Sequence, residues 1–596
     1  MSSRKPKISS EEYLTSFRES GKNVIGTFVK GKGESFIIPD DERLPQSIDV
    51  KTITDRGQTV IAATVSGLKV VAEFSDKEPD KVNVIEILGS PNTVGTDILG
   101  IIREYKLYEE FPTAVIAEAI QAAKIGTAEI ERRKDLRDKL LITIDPEDAK
   151  DLDDAISIER RSDGGYELGV HIADVSHFVT EGSELDGEAY RRGTSVYFPG
   201  GVIPMLPPRL SNDICSLNPN QDRLALSCFM TIDRNGHVQE SRINETVINI
   251  HTRFSYDTVQ KILDGDAELC KTHKKIIPLL KDAAELTKIL ESVRRKRGEV
   301  VLNMPEPKII LDEKTGKIAD VVAYPHLLSH RIIETFMILC NETVATYALE
   351  HSLPFIYRIH EKPDPLKVAK LVDILKPFAI QHTIRPEKPS GHDYQKIING
   401  LDEDLKPIIS GLLLRSMQKA KYASECAGHF GLGSKNYCHF TSPIRRLPDL
   451  IIHRIIKKMI NRKLSSHSIS ELGNYVVAAS LQSTKTELIA TEVERAIDDL
   501  KRAEYMNDHI GEKFIGTINS IMDFGVFVYL PNTVEGMIRI ENMPKDTPRE
   551  FYVYNEKTAT LSSKQRTFKT GDKIEVICVA VNMSRRQVEF SAQIPE

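Results

Sequence analysis

Apolar residues along this chain fall into three patterns, and each predicts a different kind of element. From Gly21 to about residue 92 the apolar runs are short: NVIGTFVK, SFIIP, QTVIAATV and KVVAEF. Gly and Asp turns separate them, which predicts short strands closing into a small β-barrel. Residues 93–140 instead carry apolar positions at helical spacing, with Pro112 as a break, and predict a helical linker. Residues 509–596 return to short strands (KFIGTINS, GVFVYL, KIEVICVAV) and predict a second small barrel. Residues 1–20 are polar and predict a tail or a short helix.

The span between, 141–508, mixes both periods. Asp163-Gly164-Gly165 predicts a hairpin joining strand 154–160 to strand 166–172. Helices are predicted over 329–350 and 482–507, the first with an apolar stripe of Ile333, Met337, Cys340 and Val344. Glu334 and Asn341, seven apart, share another face of it. Pro448 is well placed to begin a further helix.

One stretch breaks the pattern. Leu140–Glu159 reads LLITIDPEDAKDLDDAISIE, with apolar strand-like flanks and Asp145, Glu147, Asp148, Asp151, Asp153 and Asp154 between them. Carboxylates packed this tightly repel one another. A hard cation held by their oxygens resolves the repulsion, and Mg²⁺ suits a site that also takes phosphate. An EF-hand is excluded, because Lys150 and Ile156 stand where Gly and Glu are required. A solvated acidic turn is the other reading of the same residues.

Composition narrows the class. Apolar content of 40% and charged content of 28% are those of an ordinary globular protein, and 596 residues make about four domains. The net charge of −6 does not announce a nucleic-acid binder, although a local basic channel is what phosphate needs. Seven Cys with no C-x-x-C pair fit a reducing compartment without a disulfide frame or zinc site. The N-terminus lacks an apolar signal core and no apolar run reads as long enough for a membrane span, so a cytoplasmic protein away from the membrane is expected.

The spacing D-x5-D-x-D-D in ITIDPEDAKDLDDAISI resembles the catalytic signature of the RNase II / RNase R (RNB) family of processive 3′→5′ exoribonucleases. Further blocks follow in the family's order: Gly169–Val179, Ser195–Pro219, His330–Asn341 and His439–Arg454. The resemblance implies an α+β multidomain fold: an RNB catalytic domain over 141–508, a cold-shock-type OB domain over 21–92 and a ribosomal-S-one-type OB domain over 509–596. Longer members carry two cold-shock domains, whereas this chain has room for one full barrel. The implied activity is hydrolysis of single-stranded RNA to nucleoside 5′-monophosphates at a two-metal Mg²⁺ site, with Mn²⁺ as an alternative, by a monomer. A catalytically dead RNA-binding relative would have lost acidic residues of the motif, and here all four Asp stand. A translation-factor-like OB protein would need neither the acidic loop nor the Arg pair.

Roles carry over residue by residue. Asp145 and Asp154 are the first metal ligands, Asp151 and Asp153 complete the set, and Asp153 is the residue most needed for chemistry. Arg445 is placed on the scissile phosphate, with Arg446 beside it; two Arg before a helix can grip phosphate bidentately, although such a pair alone is more often solvated. Tyr197 stacks on the terminal base. The resemblance implies that Glu334 contacts the terminal nucleotide and makes it one candidate partner for the 2′-hydroxyl, with a solvent-facing charge as the alternative, and Glu494 matches a further family Glu. Phe28 and Phe36 with Lys30 and Lys32 in the first barrel, and Phe514, Phe524 and Phe527 in the second, are candidates for base stacking, with a core position as the alternative for each. Leu302 stands where relatives carry a Phe that closes a clamp with the Tyr matched by Tyr197, which implies a weaker clamp and longer end products, unless Leu302 is simply core and a neighbouring aromatic takes over.

Overall fold

Strand alternation in the first barrel decides which aromatic rings face inward. The computed structural model describes residues 10–31, 33–59, 66–302, 304, 306–312, 314–378, 380–402, 405–545, 551–555, 558 and 560–593. Lys32, the strand reading across 60–65 and the polar start over 1–9 lie outside these residues. Five strands, Val24–Lys30, Ser35–Pro39, Ile48–Asp55, Lys69–Phe74 and Lys81–Gly89, close on one another. Val24 and Phe28 share a strand face and pack inward with Ile37 beneath the helix Ser10–Glu19. At 1% exposure Phe28 is core, which corrects its reading as a stacking ring. Phe36 faces the other way, half-buried beside the exposed Ile38. Helix Thr96–Glu104 joins this barrel through the fully buried Arg103, whose Nε donates to Glu86 at 2.8 Å.

The linker's last residues belong to the next domain: Lys134–Asp135 adds an edge strand to its sheet. That sheet has seven strands, in the order Thr252–Ser255, Ile142–Asp145, Asp154–Arg160, Tyr166–Ala173, Asp222–Ile232, Val238–Asn249 and Lys134–Asp135. The hairpin at Asp163–Gly165 forms as its turn residues predict. Helix Leu328–Glu350 has the length and apolar content of a membrane span, contrary to the sequence reading, but most of it is buried in the largest core.

Three helices, Pro365–Leu375, Gly391–Asn399 and Lys406–Ser416, build a small satellite core of their own. Leu302 packs against that core with Val300 and Leu405. This packing fits the core alternative for Leu302.

The last helix runs from Ser466 to Asn507, far longer than the predicted 482–507. Ser465 caps it, accepting from the Ser468 amide at 3.2 Å. Small polar residues along its first half hide its helical period. Its final turn enters the second barrel, where Met506 is core. That barrel closes through Lys513–Met522, Gly525–Tyr529, Glu535–Arg539, Gln587–Ser591 and Lys573–Asn582. Phe514 pairs with the fully buried Val576 in the ladder and is half-buried, with part of its ring packed against the barrel core. Phe524 is 52% exposed and meets Phe527 edge-on at 6.1 Å between ring centres.

Gly193 is a tight backbone position against the long helix. Its φ is +67°, its carbonyl accepts from Leu447 at 3.0 Å, and a Cβ there would overlap the Thr486 side chain. Gly193→Ala is therefore expected to destabilise the protein by about 1–3 kcal/mol. Thermal unfolding measures it; an unchanged midpoint would show that the long helix can move away.

Candidate active site

The two strands flanking the acidic loop share a single backbone pair, Ile142 with Ile156, and then part. The loop between them is held from below by main-chain and hydroxyl contacts. Ser216 donates to the Lys150 carbonyl at 2.7 Å and accepts from the Leu152 amide at 3.1 Å. Arg253 reaches under the loop and donates to the carbonyls of Glu147 and Ala149 at 2.9 and 2.7 Å. The loop's shape is thus set without using its carboxylates.

Those carboxylates point into one buried space. Asp153 is 4% exposed; its Oδ1 accepts from the Ile444 amide at 2.9 Å and its Oδ2 lies 3.9 Å from Nε of Arg445. Burial pushes its carboxyl well above the usual carboxylate range, against the pull of Arg445 and the Ile444 amide. Burial, and then the neighbouring Asp154, raise Asp145 in the same way. Asp154 is pushed up to about 6 by burial, opposed by Arg445 and Arg446.

One oxygen each of Asp145, Asp153 and Asp154 is buried without a hydrogen-bond partner. Orphaned anionic oxygens of this kind ask for a cation. The donors are hard oxygens, which suit Mg²⁺ or a similar ion. Among the described residues no three such side chains already sit close enough to enclose one ion. Asp153 meets the Ile444 amide and Asp151 accepts from the Tyr197 hydroxyl.

Tyr197 therefore stands at the loop's edge, 38% exposed, with its hydroxyl on Asp151 and its amide donating to Glu494 at 3.0 Å. The structure brings together Asp145, Asp151, Asp153, Asp154, Tyr197, Glu494 and Arg445. Burial raises the Tyr197 phenol and the Glu494 carboxyl. Glu334 is not joined to this group. It stands on the exposed face of its helix, 3.4 Å from His326. Asn341, seven residues on, is buried and accepts from the Phe440 amide at 2.8 Å.

The segment that carries the Arg pair separates their roles. Arg445 is 45% exposed at its side chain, donates to the Ser442 hydroxyl at 3.2 Å and lies 3.9 Å from Asp153. Arg446 is turned inward, and its Nη2 donates to the fully buried Asp449 at 2.8 Å. This corrects its reading as an RNA contact. Pro448 begins helix Leu447–Ile460, as its position predicts, and so puts Asp449 in the first turn, facing back at Arg446.

Sequence reasoning missed three participants. Tyr256 stacks on His330 at 4.1 Å, and Asp154 and Asp145 help raise its phenol after burial does, so it borders the acidic space. Asp449 and the Ile444 amide were also missed. Only the Ser255 cap beside Tyr256 left a local signal.

Comparison with known proteins identifies the modules. The RNB domain matches residues 133–462, the cold shock domain residues 36–112 and the S1 RNA binding domain residues 507–593. Ribonuclease R 1 of Lactococcus lactis is 39% identical over 532 residues, 87% of this chain and 64% of that protein. Ribonuclease R of Aquifex aeolicus is 38% identical over 590 residues, 96% of this chain and 81% of that protein. Mycoplasma genitalium RNase R in complex with ribose methylated single-stranded RNA has a TM-score of 0.86 at 28% identity, covering 96% of this chain and 89% of that one. Yeast Ssd1, described as a pseudonuclease, shares the fold with a TM-score of 0.71 at 19% identity. RNB ribonucleases are metal-dependent nucleases. On these matches the chain belongs to the RNB family, and it is a hydrolytic 3′→5′ exoribonuclease that acts on RNA.

Proposed function

We propose that the acidic loop, Arg445 and Tyr197 form the hydrolytic centre for the 3′-terminal residue of single-stranded RNA, releasing nucleoside 5′-monophosphates processively. The observation that carries this reading is the set of three buried, unpartnered carboxylate oxygens beside one exposed guanidinium. Asp145, Asp151, Asp153 and Asp154 would hold Mg²⁺, with Mn²⁺ as a substitute; when bound, such metals activate water and stabilise the leaving oxygen. Among the described residues the carboxylate nearest Arg445 is that of Asp153, at 3.9 Å, so its guanidinium is available to a phosphate as charge grows on it. Tyr197 offers a ring at the loop's edge for the last base, fixed at its hydroxyl and its amide. Glu334 is exposed, so its carboxylate can accept a 2′-hydroxyl. Phe36, Phe524 and Phe527 present accessible ring surface for bases farther along the strand. The enzyme acts as a monomer in the cytoplasm.

Digestion of 5′-labelled single-stranded RNA with Mg²⁺ or with EDTA tests the reading. A ladder shortening from the 3′ end only with metal supports it, and shortening in EDTA would overturn the metal role. Asp153→Asn is expected to abolish cleavage in single turnover while leaving RNA affinity within a few fold, because stacking and Arg contacts remain. Cleavage retained in the folded variant would remove Asp153 from the chemistry.

Metal affinity is expected to depend on pH with a definite sign. The Asp154 carboxyl, raised to about 6, keeps a proton at pH 5 that a cation must displace. Mg²⁺ affinity of the RNA-free protein should rise from pH 5 to 7, and Asp154→Asn should weaken binding and flatten that rise. Calorimetric titration measures both; equal affinities at pH 5 and 7 would contradict the assignment.

A further inference from the structure

We infer that Asp449 is a positioning residue for hydrolysis: it holds the Thr441–Arg446 segment so that Arg445 and the Ile444 amide meet Asp153. The inference rests on the roles of Asp153 and Arg445 proposed above. Asp449 has no solvent exposure. A single oxygen, Oδ1, accepts both from the Ser442 amide at 2.8 Å and from Arg446 Nη2 at 2.8 Å. These two donors bracket the residues that matter. Between them lie Ile444, whose amide donates to Asp153 Oδ1 at 2.9 Å, and Arg445, whose Nε is 3.9 Å from Asp153 Oδ2. The segment also folds on itself, with the Arg446 amide donating to the Ser442 carbonyl at 3.0 Å.

Arg445 has little else to place it. Its side chain is nearly half exposed and its one described hydrogen bond is to Ser442, the residue whose amide Asp449 holds. Its backbone carbonyl accepts from the Ser195 amide at 3.0 Å, which ties it to the strand carrying Tyr197. The guanidinium's position therefore follows from the backbone, which Asp449 holds from one side and Ser195 and the Thr194 hydroxyl, donating to the Arg445 carbonyl at 3.0 Å, from the other. A buried ion pair is a costly way to gain stability, since apolar residues of similar volume often do as well. Here the carboxylate supplies what an apolar pair cannot: a fixed acceptor for an amide and a guanidinium at the two ends of a catalytic turn.

The test separates positioning from folding. Asp449→Asn is expected to lower kcat on single-stranded RNA by about 100-fold, the scale of a small misplacement of reacting groups. KM should stay within threefold, because the barrels still hold the strand. Should that variant fold poorly, the paired replacement Asp449→Leu with Arg446→Met removes both buried charges together, and the same kcat loss with near-constant KM is expected in the folded protein. The decisive readout is coupling with Arg445→Ala. If Asp449 acts through Arg445, adding Asp449→Asn to Arg445→Ala costs little more. Full kcat in a folded Asp449 variant, or losses that multiply in the double variant, would overturn the inference while leaving Arg445 in place. Arg445→Ala with undiminished kcat would overturn the role of Arg445 itself.

Discussion

Confinement of like charges governs the catalytic half of this molecule. Asp145, Asp153 and Asp154 each bury an oxygen with no partner, in a space too dry to leave them all ionised without a counter-charge. The surrounding structure is arranged to hold the loop by everything except those oxygens. Ser216 and Arg253 grip carbonyls and an amide, and among the described residues the backbone group spent on the cluster is the Ile444 amide. The carboxylates are left as ligands in waiting.

Cations near this space are sorted by exposure. Arg133 and Lys457 neutralise the buried Asp174 and are consumed by the scaffold. Arg446 is consumed by Asp449. Arg253 is spent on the loop's carbonyls, whereas Arg445, beside Arg446 in sequence, keeps a half-exposed guanidinium 3.9 Å from Asp153. Two identical side chains thus serve different ends because a helix starts immediately after them and its first turn captures one.

Much of this was legible in the sequence, and the gaps have physical causes. Strand and turn signals placed both barrels, the Asp163–Gly165 hairpin and the flanks of the acidic loop, because these depend on residues close in the chain. The D-x5-D-x-D-D spacing marked the loop itself. Phe28 was readable too: Val24 and Phe28 share a parity, and parity in a barrel strand decides inside from outside. Arg446 and Leu302 were not, since each is decided by a partner that no local pattern announces: Asp449 across a helix start, and a satellite helix cluster far along the chain. The long helix lost its first half to Ser, Thr and Gly residues that resemble turn formers but pack closely against neighbouring elements.

That helix has a metric consequence. Glu494 on its flank holds the Tyr197 amide, and Met506 at its end is part of the second barrel's core. Nothing between them breaks the helix, so the stretch is a rigid ruler of about 18 Å at the usual rise per residue. The barrel and the ring at the acidic loop are therefore phased to each other as two marks on one rod. A residue inserted between the marks would turn the barrel by about 100° about the rod's axis and advance it by about 1.5 Å. The chain's tolerance for length change is thus near zero over this stretch.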